Sequence, residues 1–131
     1  KEAVIDYRVP HSLITFDHTL ENWAKQGCLM LNSALTVEAC NPGSHTMMWR
    51  PFIASFLQKL SDINTGLIYV LFGKTAQTFS PYIGKFNYIL KCDHPAYAVR
   101  TGTEYECDAF IKINEILKRN HGMEITWFKE Y

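Results

Sequence analysis

The sequence predicts an α/β fold built around a parallel β-sheet. Three short apolar runs, at 28–31, 66–73 and 87–92, are typical of strands that are buried on both faces. Helical patterns alternate with these runs, and this alternation favours parallel strands joined by right-handed crossovers. In such sheets ligands bind outside the carboxyl ends of the strands, so the residues that follow each run are the candidate site.

The first two elements are a short helix and a strand. Asp17 or Thr19 can cap a helix that ends at Gly27. The strand at 28–31 follows, and the polar loop EACNPGSH leads to the next helix. The residues that the first helix would carry inward are Leu20, Trp23 and Ala24.

The second helix is predicted from Met47 to Leu60. Pro51 is compatible with it because this proline lies near the first turn. The apolar residues recur at intervals of three and four, which indicates a strongly amphipathic helix. They are Trp49, Phe52, Ile53, Phe56, Leu57 and Leu60.

The run GLIYVLFG (66–73) is the clearest strand, with glycine at both ends. A short helix at 74–79 is expected to start directly from it. The run NYILKC (87–92) predicts the third strand, which ends just before His94.

A last helix is predicted near the carboxyl end of the chain. Thr103 and Glu106 form a capping-box pattern ahead of it. Its inward-facing residues would be Cys107, Phe110, Ile113 and Leu117.

The length of 131 residues predicts a single domain over 1–131 that can bury a real core. The formal net charge is zero, so any nucleic-acid binding must come from a local face. No apolar run reaches membrane-spanning length, and no membrane partner is expected.

The four cysteines are spaced without a CxxC pair, which matches no metal template. We therefore expect no bound metal, no cofactor, and an intracellular, reducing environment. The cysteines are Cys28, Cys40, Cys92 and Cys107.

Polar residues follow all three predicted strands, which would bring them to one edge of the sheet. Asn32 can bond bidentately to an amide-like edge, or it can be a turn asparagine that bonds its own backbone. His94 can be an acid–base group or a packed or surface histidine. Gly73 lets backbone approach a ligand closely, and a helix after it could bind a phosphate with free N–H groups.

Two further positions carry open alternatives. Lys74 would add positive charge at that edge, or it is simply solvated. Ser44 and His45 precede the second helix, where an N-cap is the simpler interpretation.

Several segments in this order resemble the family 1 uracil-DNA glycosylases: WAKQGCLMLNSALTV, PGSHTMMW, GLIYVLFGKTAQ, CDHPA and ITWFKEY. The resemblance covers nearly the whole chain from about Trp23 and corresponds to the later half or more of a family member. It implies a three-layer α/β/α fold with a central parallel sheet, present here as a partial domain. The segments GKT and HPA look more like the poxviral branch, whereas LNSALTV is closer to the cellular enzymes.

The resemblance also implies roles for matched residues. Asn32 matches the asparagine that reads a flipped uracil, and His94 matches the catalytic histidine that donates to uracil O2. The positions expected to lie against DNA are Ser44, His45, Gly73, Lys74, Pro95, Ala96 and Tyr97.

The chain departs from the family pattern in two places. The water-activating motif Gly-Gln-Asp-Pro-Tyr-His and the phenylalanine that stacks on uracil are not among these residues, so the catalytic Asp is expected upstream of Lys1. The cellular pattern His-Pro-Ser-Pro-Leu-Ser reads HPAYAV here, with both serines replaced and Ala98 in place of the wedging leucine. Tyr97 can stack or wedge instead, or it can pack, and this loop is expected to clamp DNA weakly.

The resemblance predicts a uracil-DNA glycosylase that acts on uracil-containing DNA and that a proteinaceous inhibitor can bind. These residues alone are expected to release no uracil. The alternative is an inactive module of the same fold that holds DNA or a replication partner, as in poxviral relatives. A third interpretation is an unrelated α/β domain. The location would be nuclear or cytoplasmic, and a virus-encoded protein stays open.

Overall fold

The computed structural model describes residues 14–15 and 19–130. Its residues group into two compact units. The central unit is Leu31–His94, and the terminal unit consists of the described residues of Lys1–Met30 and Pro95–Tyr131. The prediction of one domain over 1–131 stays a prediction.

The elements follow one another along the chain with short connections, apart from the long loop between α1 and α2. They are β1 (Ile14–Thr15), α1 (Glu21–Lys25), α2 (Thr46–Ile63), β2 (Ile68–Phe72), α3 (Gly73–Gln77), a 3-10 helix (Ser80–Tyr82), β3 (Tyr88–Cys92), α4 (Pro95–Thr101), α5 (Ala109–His121) and β4 (Lys129–Glu130).

The central unit is built on a parallel strand pair. β2 and β3 pair in register from Ile68 opposite Tyr88 to Phe72 opposite Cys92. α3 starts directly from the end of β2, as the sequence predicted. The second and third predicted strands are therefore confirmed, and so is an α/β class with helices beside a parallel sheet.

The core of the central unit lies between α2 and the segment that follows α3. Ile53 and Ala54 of α2 are buried against Phe79, and Leu57 and Tyr82 pack on this cluster. Only one face of α2 supplies these contacts. The apolar stripe predicted from the sequence is wider than this buried face, so some of its residues are exposed. Phe52, for example, is 53% exposed.

The terminal unit is held together by aromatic rings. Trp23 of α1 contacts Phe110 and Trp127, with ring centroids 5.6 and 5.1 Å away. Its indole N–H also donates to the carbonyl of Trp127 at 2.9 Å.

The prediction that Thr19 caps α1 is wrong, because Leu20 occupies the N-cap position and no side chain caps the helix there. The hydroxyl of Thr19 accepts only a long hydrogen bond from the N–H of Glu21, at 3.4 Å. Asp17, the other predicted cap, lies outside the described residues.

The strand predicted at 28–31 is wrong. These residues form no regular element, and Leu29, Met30 and Leu31 are 69%, 47% and 42% exposed. An apolar run becomes a buried strand only when another strand pairs with it and other layers cover it. None of the described strands pairs with this segment.

The capping box predicted at Thr103 and Glu106 is also wrong. α5 begins at Ala109, and both residues lie in the irregular segment before it. The carboxylate of Asp108 accepts instead from Lys112, one turn along the helix, at 2.6 Å. The hydrogen bond from Lys112 holds the pKa of Asp108 below its usual value. Of the predicted inward residues, Ile113 is buried, Phe110 and Leu117 are half-buried, and Cys107 precedes the helix.

None of the four cysteines, all of which lie in the described part of the chain, forms a disulfide. Burial raises the pKa of the Cys28 thiol. None of the helices in the described part of the chain has the length and apolar character that crossing a membrane requires.

We predict that Tyr69→Phe stabilises the protein by about 1 kcal/mol, because an unsatisfied buried hydroxyl carries a desolvation penalty of roughly that size. The Tyr69 hydroxyl is buried and has no hydrogen-bond partner among the described residues. Urea denaturation at pH 7 measures the change. Tyr97→Phe, at a residue that is 54% exposed, is the matched control and should leave stability unchanged.

Tyr69→Phe should also change how the free energy of unfolding depends on pH under alkaline conditions. Burial raises the pKa of Tyr69, so the unfolded chain loses this proton first and stability falls as pH rises through the folded-state pKa. Tyr69→Phe removes that contribution. An equal or lower unfolding free energy in the variant at neutral pH would contradict an unpartnered hydroxyl.

Candidate functional site

Gly73 and His94 meet at the carboxyl end of the parallel strand pair. Gly73 follows β2 directly and has φ of +85°. His94 comes two residues after the end of β3. A Cβ placed on Gly73 would lie 3.0 Å from the Cβ of His94, so the glycine leaves the space that the histidine occupies. The predicted meeting of these two strand ends is confirmed.

The side chain of Gln77 connects α3 to the end of β3. Its amide nitrogen donates to the carbonyl of Cys92 at 3.0 Å, two residues before His94. This bond holds the short helix beside the strand that carries the imidazole. Sequence reasoning missed Gln77, and the single available signal was its position one turn beyond Gly73.

His94 itself is exposed and takes part in at least one polar or electrostatic contact. The alternative of an interior, packed histidine is therefore not what the structure shows, and the acid–base and surface alternatives stay open.

Asn32 is exposed and lies in the central unit, as His94 does. Its side chain makes no hydrogen bond with any residue that the structure describes. A turn asparagine bonded to its own backbone is therefore not observed, and the amide is available to a ligand. Because 28–31 is not a strand, sheet topology does not bring Asn32 to the edge, and its meeting with His94 stays a prediction.

Lys74 is the second residue of α3 and is exposed. It makes no ion pair within the described part of the chain. Its charge is thus available to a phosphate, and solvation alone is the other interpretation left open by the sequence.

Ser44 and His45 bond to the loop that precedes them rather than capping α2. The hydroxyl of Ser44 accepts from the N–H of Glu38 at 2.8 Å. His45 occupies the N-cap position of α2, but no side chain there bonds the helix. The N-cap interpretation is wrong for the side chains, because both are already engaged with the preceding loop.

A three-residue cluster joins that loop to the first turn of α2. Thr36 Oγ1 lies 2.8 Å from Nδ1 of His45 and accepts from the indole N–H of Trp49 at 2.7 Å. Trp49 was predicted to lie on the apolar stripe of this helix. Its hydrogen bond to Thr36 joins residues 13 apart in the chain and has no signal in that pattern.

The segment after His94 is a helix where the family pattern predicted a loop. Pro95 and Ala96 open α4, and Tyr97 is 54% exposed. Ala98 is 7% exposed, so it faces inward and cannot wedge into DNA. The exposure of Tyr97 favours the stacking role over packing.

Residues that could hold a metal ion do not cluster in the described ranges, 14–15 and 19–130. What the structure offers is a parallel strand pair, an exposed imidazole and a lysine at its carboxyl edge, and an unbonded amide in the same unit. This combination defines an α/β protein with a polar ligand site of the kind formed outside strand ends.

The chain belongs to the uracil DNA glycosylase superfamily, whose family description its residues 7–118 match. A curated "Uracil-DNA glycosylase" of Campylobacter jejuni subsp. jejuni (strain 81-176) is 40% identical over 110 residues, which is 82% of this chain and 47% of the relative. That of Coxiella burnetii (strain CbuG_Q212) is 39% identical over 110 residues, again 82% of this chain and 48% of the relative.

Solved structures show the same fold. The mimivirus uracil-DNA glycosylase superposes with a TM-score of 0.71 at 32% identity, over 82% of this chain and 46% of that chain. A variant of the mimivirus enzyme solved in complex with UGI matches with a TM-score of 0.71 at 31% identity, with the same coverage. The chain therefore spans about half the length of the relatives that it matches.

We predict that Gly73→Ala displaces His94. Both the positive φ and the 3.0 Å contact with the His94 Cβ oppose a side chain there, so stability should fall by more than the ~1–2 kcal/mol expected for the backbone strain alone. Gly66→Ala is the matched control, since Gly66 has φ of +78° and nothing within 4 Å of its Cβ position. Thermal unfolding and the imidazole NMR signals measure the two effects.

Equal destabilisation by Gly73→Ala and Gly66→Ala, with the signals of His94 unmoved, would show that the close contact has no consequence.

Proposed function

We propose that this chain is the part of a uracil-DNA glycosylase that reads the base and stabilises it as it leaves. The contact of Gly73 with His94 carries this proposal, since it fixes an exposed imidazole at the carboxyl edge of the sheet. Membership of the superfamily and the relatives at about 40% identity support it.

Asn32 would read the base. Uracil presents the O4 acceptor beside the N3–H donor, so an amide can donate from Nδ2 and accept at Oδ1. Cytosine presents the opposite pattern at these atoms. A bidentate contact of this kind gives ~1–3 kcal/mol of discrimination. The amide of Asn32 is free for it, because no described residue bonds it.

His94 would stabilise the leaving base. Cleavage of the N-glycosidic bond places negative charge on the pyrimidine, and an N–H of a neutral imidazole can donate to uracil O2. A preorganised donor of this type contributes ~3–4 kcal/mol, by analogy with oxyanion holes. The imidazole must be held in place to act this way, and Gly73 and Gln77 both constrain the segment that carries it.

Contacts with the DNA backbone would come from the same edge. Extruding a nucleotide costs a few kcal/mol, which phosphate contacts help to offset. Gly73 allows close approach of a phosphate, and Lys74 adds an unpaired charge. The other residues proposed to contact DNA are Ser44 and His45 in the central unit and the Pro95-Ala96-Tyr97 segment in the terminal unit. Tyr97 is exposed enough to stack on a base.

The water that attacks the sugar needs a carboxylate, and we propose that an Asp upstream of Lys1 supplies it. The exposed apolar residues of the central unit support a further segment of polypeptide that packs there. The side chains of Leu31, Leu35 and Val37 are 42%, 48% and 58% exposed, and contact of such an apolar surface with water is unfavourable. The relatives are about twice as long as this chain.

A second candidate function is an inactive module of the same fold that binds DNA or a replication partner. A protein inhibitor is a further partner for either form, since a related mimivirus enzyme is in complex with UGI. The coding sequence upstream of Lys1 separates the two functions. An Asp-Pro-Tyr element after a strand supports the enzyme, whereas translation that starts near Lys1 supports the module.

We predict that His94→Ala lowers kcat for uracil release about 10²–10³-fold in the longest translated protein that contains this chain. The reason is the loss of the donor to uracil O2. The assay is release of uracil from a single-stranded oligonucleotide. His121→Ala is the matched control, because His121 is an exposed histidine at the end of α5 and should leave kcat unchanged.

A protein with full activity after His94→Ala would refute the role of His94. A wild-type protein that carries the upstream Asp element, folds and releases no uracil would refute the enzyme.

A further inference from the structure

The hydroxyl of Thr36 connects the loop that carries Asn32 to helix α2. We propose that Thr36, together with His45 and Trp49, is a positioning device for Asn32, so that these three residues set uracil affinity without touching the base. The inference rests on the proposed function, because it assigns Asn32 to base recognition. It gives His45 a role distinct from a DNA contact.

The loop needs such a tether. Residues 31–37 contain no helix or strand. Leu31, Leu35 and Val37 are exposed, so the loop gains little stability from burial in this unit. Asn32 makes no hydrogen bond to a described residue. The nearest residues along the chain with hydrogen bonds are Cys28, whose N–H donates to the carbonyl of Trp23 at 3.1 Å, and Thr36, each four residues away. Of these two, Thr36 is the one that belongs to the central unit with Asn32, so the position of the amide within that unit depends on it.

The hydrogen-bonding groups of these three side chains determine which atoms can donate and which can accept. An indole N–H can only donate, so Thr36 Oγ1 accepts from Trp49. The hydrogen of the Thr36 hydroxyl is then available for Nδ1 of His45, 2.8 Å away. Removing the hydroxyl breaks both bonds at once and leaves the indole N–H and Nδ1 without their partner.

A second, separate bond lets the cluster be tested without unfolding the loop. Ser44 Oγ accepts from the N–H of Glu38 at 2.8 Å and does not involve Thr36. The loop also retains the hydrogen bond from the N–H of Asn41 to the carbonyl of Glu38, at 3.1 Å. Loss of the Thr36 hydroxyl should thus free residues 31–35 and leave residues 38–45 in place.

The experiment compares Thr36→Val, which is close in shape to threonine and lacks the hydroxyl, with Thr36→Ser, which retains it. Thr78→Val is the matched control: its hydroxyl accepts from Arg50 at 2.7 Å, in the same unit and outside the loop. All variants are made in the longest translated protein that contains this chain. The measurements are the Kd for free uracil, the Kd for uracil-free DNA, and amide hydrogen exchange.

We expect Thr36→Val to weaken binding of uracil about tenfold, within the range that a lost bidentate contact covers. The affinity for uracil-free DNA should fall by much less, because the carbonyl of His45 still accepts from the N–H of Trp49 and keeps the start of α2 in place. Exchange at residues 31–35 should become faster, and that at 38–45 should not. Thr36→Ser and Thr78→Val should bind uracil within about twofold of the parent. A merely structural role of Thr36 would weaken both affinities together and would not be rescued by serine.

Two results overturn the inference: uracil affinity within twofold of the parent in Thr36→Val, or unchanged exchange at residues 31–35. If the parent protein does not bind uracil, that result contradicts the proposed function alone. The hydrogen-exchange measurement still tests whether Thr36 holds residues 31–35 in place. Should Thr36→Val fail to fold, Trp49→Phe removes the indole donor and keeps an aromatic ring. It should give the same pattern with a smaller loss, and normal uracil affinity in this variant with unchanged exchange would overturn the inference as well.

Discussion

The site depends on one steric constraint, the absence of a side chain at Gly73. The parallel register ends with Phe72 opposite Cys92, so the chain leaves both strands at the same level. His94 then comes within van der Waals distance of Gly73, where the nearest approach to an added Cβ would be 3.0 Å. Gly73 is also the first residue of α3 and has φ of +85°, a conformation that glycine adopts without strain. Gly73 therefore satisfies two requirements, a backbone with positive φ and space for the imidazole of His94.

The loop that carries Asn32 is organised in a different way from the strand ends. The loop that carries Asn32 is not part of the sheet, and hydrogen bonds from side chains hold it to the start of α2. Thr36 and Ser44 supply those bonds. Such bonds are individually worth about 1 kcal/mol, so this loop should be more easily displaced than the strand ends. An imidazole held by packing and an amide held by a short tether are thus stabilised to different degrees.

The sequence predicted those elements whose signal is local. β2 and β3 are continuous apolar runs between turn residues, and α2 has the three-and-four spacing of a helix. The run at 28–31 is as continuously apolar as β2. A strand forms only where another strand pairs with it, however, and the spacing of apolar residues does not reveal whether such a strand is present. The box at Thr103 and Glu106 failed for a similar reason, because a helix start depends on where the apolar face docks.

The candidate site was predictable in part. Gly73 and His94 could be placed together from strand alternation alone, and Asn32 could be recognised as a polar break in an apolar run. Three features could not be read from the pattern: the bond from Trp49 to Thr36, the bond from Gln77 to Cys92, and the packing of Ala98. Each joins or buries residues through tertiary contact. Pro95 occupies the first position of α4, where proline is favoured because its missing N–H is not needed, so this helix start has a local signal in the sequence.

The central claim is that the amide of Asn32 and the imidazole of His94 bind the same pyrimidine base. The most direct test is a titration of the ¹⁵N-labelled full-length protein with free uracil, with adenine as the control. The side-chain amide of Asn32 and the ring nitrogens of His94 should shift together along one saturation curve, and adenine should move neither. A uracil titration that saturates while either group stays unmoved, or in which the two follow different affinities, would contradict the account.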